Sequence, residues 1–249
     1  MVASQLDAKG LSEKNIEAQR SHPPLCSSDA LPFLLQLASP ALPVGAYSYS
    51  EGLEFLVDNG TITAVTALEH WITQELSYGT IRLETAVMAR SYNAMVAEDW
   101  DMLRYWNNWL SAVRDTRELR EQSWQMGQAL ARLLRTLEPE LAQVLDEVGQ
   151  PYNFATVFAI SAARWHIEPE AMLLGYLHSW ITNLVNAGIK LIPLGQTAGQ
   201  TLLIQLYPTL RQTVQHCLAV DDDDLYGCSW GTAIASMNHE TLYSRLFRS

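Results

Sequence analysis

The chain has 249 residues, with 27 acidic and 16 basic side chains and a net charge of −11. That length favours one large domain over several, and with lysine only at 9, 14 and 190 there is no basic stripe of the kind nucleic-acid binding needs. Charged residues make up 17% of the chain, below the usual level of about 25%, so part of the surface is expected to be covered by a partner.

In chain order, residues 1–29 are polar and aperiodic and include Pro23-Pro24, which predicts a disordered N-terminal segment. It lacks the apolar core of a secretory signal. Three cysteines, Cys26, Cys217 and Cys228, show no CxxC spacing; they fit a reducing, cytoplasmic location without disulfides. Pro40, Pro43 and Gly45 shape a stiff approach to the stretch Tyr47-Ser48-Tyr49-Ser50-Glu51. There Ser48 and Ser50 can each cap a helix, Ser48 with Glu51 as a capping box. Thr66 with Glu69 forms a second such box, and Gly60 and Gly79 stand where helices can end.

No proline occurs between Pro43 and Pro139. Leu103, Trp106, Leu110 and Val113, then Leu119, Met126, Leu130, Leu133 and Leu137, repeat at the helical period. Between the later prolines, residues 153–165, 170–192 and 197–206 are helix candidates. Residues 171–189 carry no formal charge over a length close to a bilayer span, but His178, Ser179, Thr182, Asn183 and Asn186 within them indicate a buried central helix, so no membrane partner is expected. Without sustained period-2 runs or hairpin turns, the predicted class is all-α. It would be a single helical domain of about eight to ten helices over 30–220, followed by an acidic loop and partner-binding tail over 221–249. The run 221–224 reads as a solvated loop.

Chemistry is sparse. There is no Gly-Lys-Ser/Thr phosphate loop and no Gly-x-Ser-x-Gly nucleophile elbow. His239-Glu240 fails as a zinc motif because Tyr243 stands where the second histidine belongs. His216 and Cys217 are the best metal-ligand types, but neighbours on a helix point about 100° apart, so they are weak ligands for one ion; His70, His166 and His178 lie in apolar helical surroundings. Arg114, Arg117 and Arg120 interleave with Asp115, Glu118 and Glu121. The pairs Arg114–Glu118 and Arg117–Glu121 are four apart and stabilise a helix by about 0.2–0.5 kcal/mol each; the alternative is an arginine offered to a partner's phosphate. No catalytic residue and no tightly bound cofactor is expected.

Four blocks in order, "LLQLASPALPVGAYSYSEGLE", "RDTRELREQSWQMGQALARLL", "PLGQTAGQTLL" and "ASMNHETLYSRLFRS", resemble the urease accessory protein UreF family over about residues 31–249. Asn238 stands where that family usually has an arginine. The resemblance implies an all-helical homodimer that binds UreD (also called UreH) and then the GTPase UreG, in a complex that inserts nickel into apo-urease in a GTP-dependent way. Tyr47, Tyr49, Glu51, Gln196, Gly199 and Gln200 are then expected at or near a partner surface. Tyr243, Arg245, Leu246, Phe247 and Arg248 belong to a tail that orders when UreD docks. Two alternatives stay open: a nickel carrier using His216, Cys217 and Cys228, and a GTPase-activating protein supplying Arg114, Arg117 or Arg120 to UreG.

Overall fold

A computed structural model describes residues 26–248. Among them the chain forms eleven α-helices, two short 3₁₀ turns and no strand. These are α1 (Leu31–Leu37), α2 (Leu53–Asp58), α3 (Val65–Tyr78), α4 (Thr80–Val96), α5 (Trp100–Val113), α6 (Arg117–Leu137), α7 (Leu141–Val148), α8 (Phe154–Arg164), α9 (Pro169–Leu191), α10 (Gln196–Ala219) and α11 (Trp230–His239). The all-α class is as expected. Ten of these helices, α1 to α10, fall within residues 30–220, as expected of that domain, and the eleventh, α11, forms within the expected tail. The disordered segment assigned to 1–29 lies, up to residue 25, outside the described residues.

The centre of the fold is α8. Every residue from 154 to 163 is buried, as expected of a helix that is apolar all round. Helices α4, α6 and α9 pack about it, and α10 lies against α9 and α3. The predicted central helix, α9, does bury Leu173, Leu177, Ile181, Leu184 and Val185, but α8 is the one enclosed on all sides. Leu103, Trp106 and Leu110 face inward on α5. On α6 the buried stripe runs through Leu119, Met126, Leu130 and Leu134, leaving Leu133 at the boundary and Leu137 exposed. No helix among the described residues is long and apolar enough to cross a membrane.

Several local signals act differently from their sequence reading. Helix α3 starts at Val65 with Ala64 at its N-cap, so Thr66 lies inside the helix and caps nothing. The hydroxyl of Ser48 donates to the Gly45 carbonyl at 2.7 Å, and it is Ser50 that accepts from the Glu54 N–H, at 3.4 Å. Side-chain caps are Asp99 on α5 and Thr116 on α6. Helix α10 continues through Pro208 to Ala219. One lost backbone hydrogen bond does not end a helix whose two halves both bury leucines: Leu202, Leu203 and Leu206 before the proline, Leu210 and Val214 after it. Gly60 (φ +79°) and Gly79 do follow helix ends, as predicted.

A buried polar knot joins α5, α6 and α8. The Asn153 N–H and side-chain amide donate to Asn107 at 2.9 and 2.7 Å, the Asn107 amide donates to the Pro151 carbonyl at 2.8 Å, and the Ser123 hydroxyl meets Asn153 at 3.2 Å. Gly127 lets α6 approach this turn, since a Cβ there would run into the Tyr152 carbonyl oxygen. Gly127→Ala is therefore expected to destabilise the fold by roughly 1–3 kcal/mol. That corresponds to a fall in Tm of about 2–4 °C per kcal/mol for a chain of this size, readable by thermal denaturation.

Candidate partner-docking site

Helix α11 packs with its small side inward. Thr232, Ala233, Ala235, Ser236 and His239 are buried, while Trp230, Ile234 and Met237 are 76%, 50% and 51% exposed. Such spacing, one side chain per helical turn, makes a continuous outward apolar stripe. The inward side sits close to α2: a Cβ on Gly52 would lie 2.9 Å from Ala235 Cβ. Gly52 has φ +84°, so both its backbone and its lack of a side chain are needed there.

Polar contacts fix this orientation. The buried carboxylate of Glu75, on α3, accepts from the Ser229 and Thr232 hydroxyls, each at 2.6 Å. Trp71 donates to Thr232 at 3.3 Å and the Thr80 N–H donates to Ser229 at 3.0 Å. Burial pushes the Glu75 carboxyl up, the two hydroxyls pull it partly back, and Asp115 adds to the rise. At the far end, Glu54 meets His239 Nε2 at 2.8 Å and accepts from the N–H groups of Leu246 and Phe247 at 2.6 and 3.0 Å. Thr116 and Ser236 share a hydrogen bond between these two points. The 221–229 loop is tied down by Arg90, which bonds Asp222 at 2.5 Å and the Val220 carbonyl at 2.6 Å, and by Arg82, which bonds the Tyr226 carbonyl and lies over its ring.

Deeper in lies a cavity of about 60 Å³, lined among others by Glu51, Glu75, Glu84, Arg114, Tyr176 and Trp180. It has room for a few water molecules. Arg114 is ion-paired with Glu84, and both are nearly fully buried. Burial opposes the Arg114 charge, but Glu84, Tyr176 and Glu51 outweigh it and hold the guanidinium above its ordinary value. Its Nε has no hydrogen-bond partner among the described residues. Burial, reinforced by the charge of Glu84, also raises the Tyr176 hydroxyl well above its usual range. Glu51 accepts from Gln122 at 3.0 Å and from Trp180 at 2.9 Å. Even so, burial, with Glu84 adding to it, raises its carboxyl to about 7.

The UreF family model matches residues 62–207, more than half of the chain. The chain belongs to the UreF family. It is 58% identical over 216 residues to the urease accessory protein UreF of Trichormus variabilis, covering 87% of this chain and 94% of that protein. The same protein of Nostoc sp. (strain PCC 7120) matches at the same identity and coverage. That of Thermosynechococcus vestitus is 53% identical over 227 residues, 90% of this chain and 100% of its own length. A role as an accessory protein in urease maturation follows from the family.

The residues singled out from sequence fall in different settings. Tyr47 is 69% exposed. Tyr49 is buried, with its hydroxyl donating to Gln125 at 2.7 Å, and Glu51 points into the core as described. Gln196 and Gln200 are exposed. Gly199 is buried where α10 meets Ile189 of α9, so the small residue serves close helix approach within the chain. Tyr243, Arg245, Leu246 and Arg248 are exposed and Phe247 is buried. Asn238 bonds back to the Ile234 carbonyl of its own helix at 2.9 Å.

Arg114 does not pair with Glu118 as its spacing suggested, because Glu84 offers a buried partner. Arg117 does bond Glu121, at 2.6 Å, and Arg120 lies over Trp124. His216 is exposed, whereas Cys217 is buried with its thiol pushed up to about 12 by burial, the opposite of what a metal ligand needs. Among the described residues no group of three or more His, Cys, Asp or Glu could hold a metal ion. Glu54, Glu75 and Glu84 escaped the sequence reading, since a lone glutamate in a helical stretch carries no local mark of burial.

The raised carboxyl of Glu51 has a measurable consequence. Its folded value, about 7, exceeds its ordinary value of 4.5, so between these limits the unfolded chain loses the proton first and stability falls as pH rises. Glu51→Gln keeps a neutral side chain at every pH. Trp180, a donor only, keeps an oxygen partner in the variant. The variant should match wild-type stability near pH 4, gain on it through pH 7 and hold a constant advantage above, on the order of 2 kcal/mol, in denaturant titrations across that range.

Proposed function

We propose that the chain is a non-catalytic adaptor that joins UreD (UreH) and the GTPase UreG during GTP-dependent nickel insertion into apo-urease. The observation that carries this reading is the outward face of α11. Trp230, Ile234 and Met237 present large apolar and aromatic side chains, the kind enriched at the centres of protein interfaces, and Tyr226 before the helix and Tyr243 and Leu246 after it are also exposed. UreD is the partner for this face. In an adaptor, nickel passes as cargo of the complex, with no resident metal or cofactor in this chain. The carrier alternative is disfavoured by the buried Cys217 thiol beside an outward His216. The arginine-finger alternative is disfavoured for Arg114 by its buried pairing with Glu84.

The homodimer that the family implies needs a separate surface. An open groove of about 550 Å³ between α9 and α10, lined by Leu174, His178, Ile204, Tyr207, Leu210 and Arg211, offers it, with Ile204 and Tyr207 exposed. Self-association there leaves α11 free for UreD.

Two single substitutions separate these uses. Ile234→Asp is expected to lower UreD capture at least tenfold, as loss of an interface anchor does, and to abolish urease activation by purified components while the protein stays dimeric. Ile204→Asp is expected to give a monomer by light scattering. Both side chains are exposed, so helical circular dichroism should persist. Undiminished UreD capture by Ile234→Asp would overturn the assignment of the α11 face, and a dimeric Ile204→Asp that of the groove.

A further inference from the structure

We propose that the cavity beneath the Glu51 turn is a water-binding site: one bound water accepts hydrogen bonds from Arg114 Nε and from the carboxyl of Glu51, and turns its own hydrogens toward the carboxylates around it. The site is a property of the isolated chain and stands apart from the adaptor reading.

Two donors in this cavity lack acceptors. The first is Arg114. Its Nη2 pairs with Glu84, but its Nε is buried and has no hydrogen-bond partner among the described residues. A charged N–H left bare in the core costs more than a neutral one, so it needs an oxygen. The second donor is Glu51 in its neutral form. Both of its oxygens already accept, one from Gln122 at 3.0 Å and the other from Trp180 at 2.9 Å. A neutral carboxyl also carries a hydrogen of its own. Burial, with Glu84 adding to it, raises this carboxyl to about 7, so the hydrogen is present in mildly acidic solution and must be received.

The surroundings leave that task to water. The ionisable groups that face Glu51 are Glu75 from α3, Glu84 from α4, Arg114 from the link between α5 and α6, and Tyr176 from α9. Helices α6, α8 and α11 add no ionisable side chain to the lining. Glu75 is taken up by the Ser229 and Thr232 hydroxyls, and Glu84 by Arg114 and Tyr176. A small anion would meet the glutamates at 51, 75 and 84, and a metal cation would meet the charge of Arg114. Water offers two lone pairs to the two unmet donors and has two hydrogens for the carboxylates. The space, about 60 Å³, exceeds the roughly 10–15 Å³ that one water requires.

A near-atomic-resolution crystal structure, grown below the Glu51 midpoint, tests the site directly. A water is expected within about 3.2 Å of both Arg114 Nε and a Glu51 oxygen. A dry cavity, or an Nε bonded to a protein oxygen, would overturn the proposal. So would a water that meets Nε and does not reach Glu51.

Infrared titration reads the Glu51 hydrogen in solution. A protonated-carboxyl band is expected to vanish with a midpoint near 7, at the lower frequency of a carboxyl whose O–H is hydrogen-bonded, and to be missing from Glu51→Gln. The higher frequency of a free carboxyl would show that nothing receives the hydrogen. A midpoint at the ordinary 4.5 would mean that Glu51 has none to donate. Either result would overturn the site. Should Glu51→Gln fail to fold, Trp180→Phe carries the assignment. The Trp180 bond favours the charged form of Glu51, so its loss is expected to raise the midpoint by on the order of one pH unit. An unchanged midpoint would place the band on another carboxyl and overturn the proposal.

Discussion

Helix α11 is oriented by two buried carboxylates, Glu75 at its start and Glu54 at its end. A carboxylate taken out of water without donors costs several kcal/mol, so each of these must find them. Glu75 is supplied by Ser229 and Thr232, and Glu54 by His239 and the Leu246 and Phe247 amides. Rotating α11 to bury Trp230, Ile234 and Met237 would take Thr232 away from Glu75 and His239 away from Glu54. It would also press large side chains against Gly52, where only Ala235 and Ser236 fit. The outward apolar face is thus a consequence of how the helix is held.

The rest of the scaffold serves to keep those carboxylates in place. Glu75 and Gly79 lie at the C-terminal end of α3, where α4 begins without a loop. Helix α4 then packs along α8, the enclosed centre, so the position of Glu75 is fixed by the deepest part of the core. Glu54 follows the sharp reversal through Glu51 and Gly52, both at positive φ. That reversal is in turn fixed by Gln122 and Trp180 on the Glu51 carboxylate and by Asn183 on the Tyr49 carbonyl. The Arg114–Glu84 pair faces the same cavity as Glu51 and Glu75.

The helical class and most of the long helices were legible in the sequence, because their signals are local. Leu103, Trp106 and Leu110 repeat at the helical period and are buried on α5 as that period requires, and Gly60 and Gly79 mark real helix ends. The proline at 208 misled, since packing on both sides of it outweighs one missing donor. The site was mostly illegible, for a physical reason. Apolar periodicity reads large side chains as the inward face, whereas on α11 they point outward and the buried face is Thr232, Ala235, Ser236 and His239. The deciding contacts also join residues far apart in the chain: Glu75 with Thr232, Glu54 with Phe247, and Arg114 with Glu84 in place of the nearby Glu118. No spacing rule within one helix reports them.

The same long-range closure explains how a common body can carry a partner surface at its margins. The family model covers residues 62–207, which is α3 to the first half of α10, the scaffold around α8. The proposed docking surface is assembled from what flanks that span on both sides. Gly52 meets Ala235, Glu54 meets His239 and Phe247, and Ser48 accepts from Arg248. Segments almost two hundred residues apart become one surface only after the scaffold has folded and brought α2 beside α11. Recognition by a partner therefore reports on the completed fold: a chain whose core has not closed has no α11 face to present, whatever the sequence of that helix.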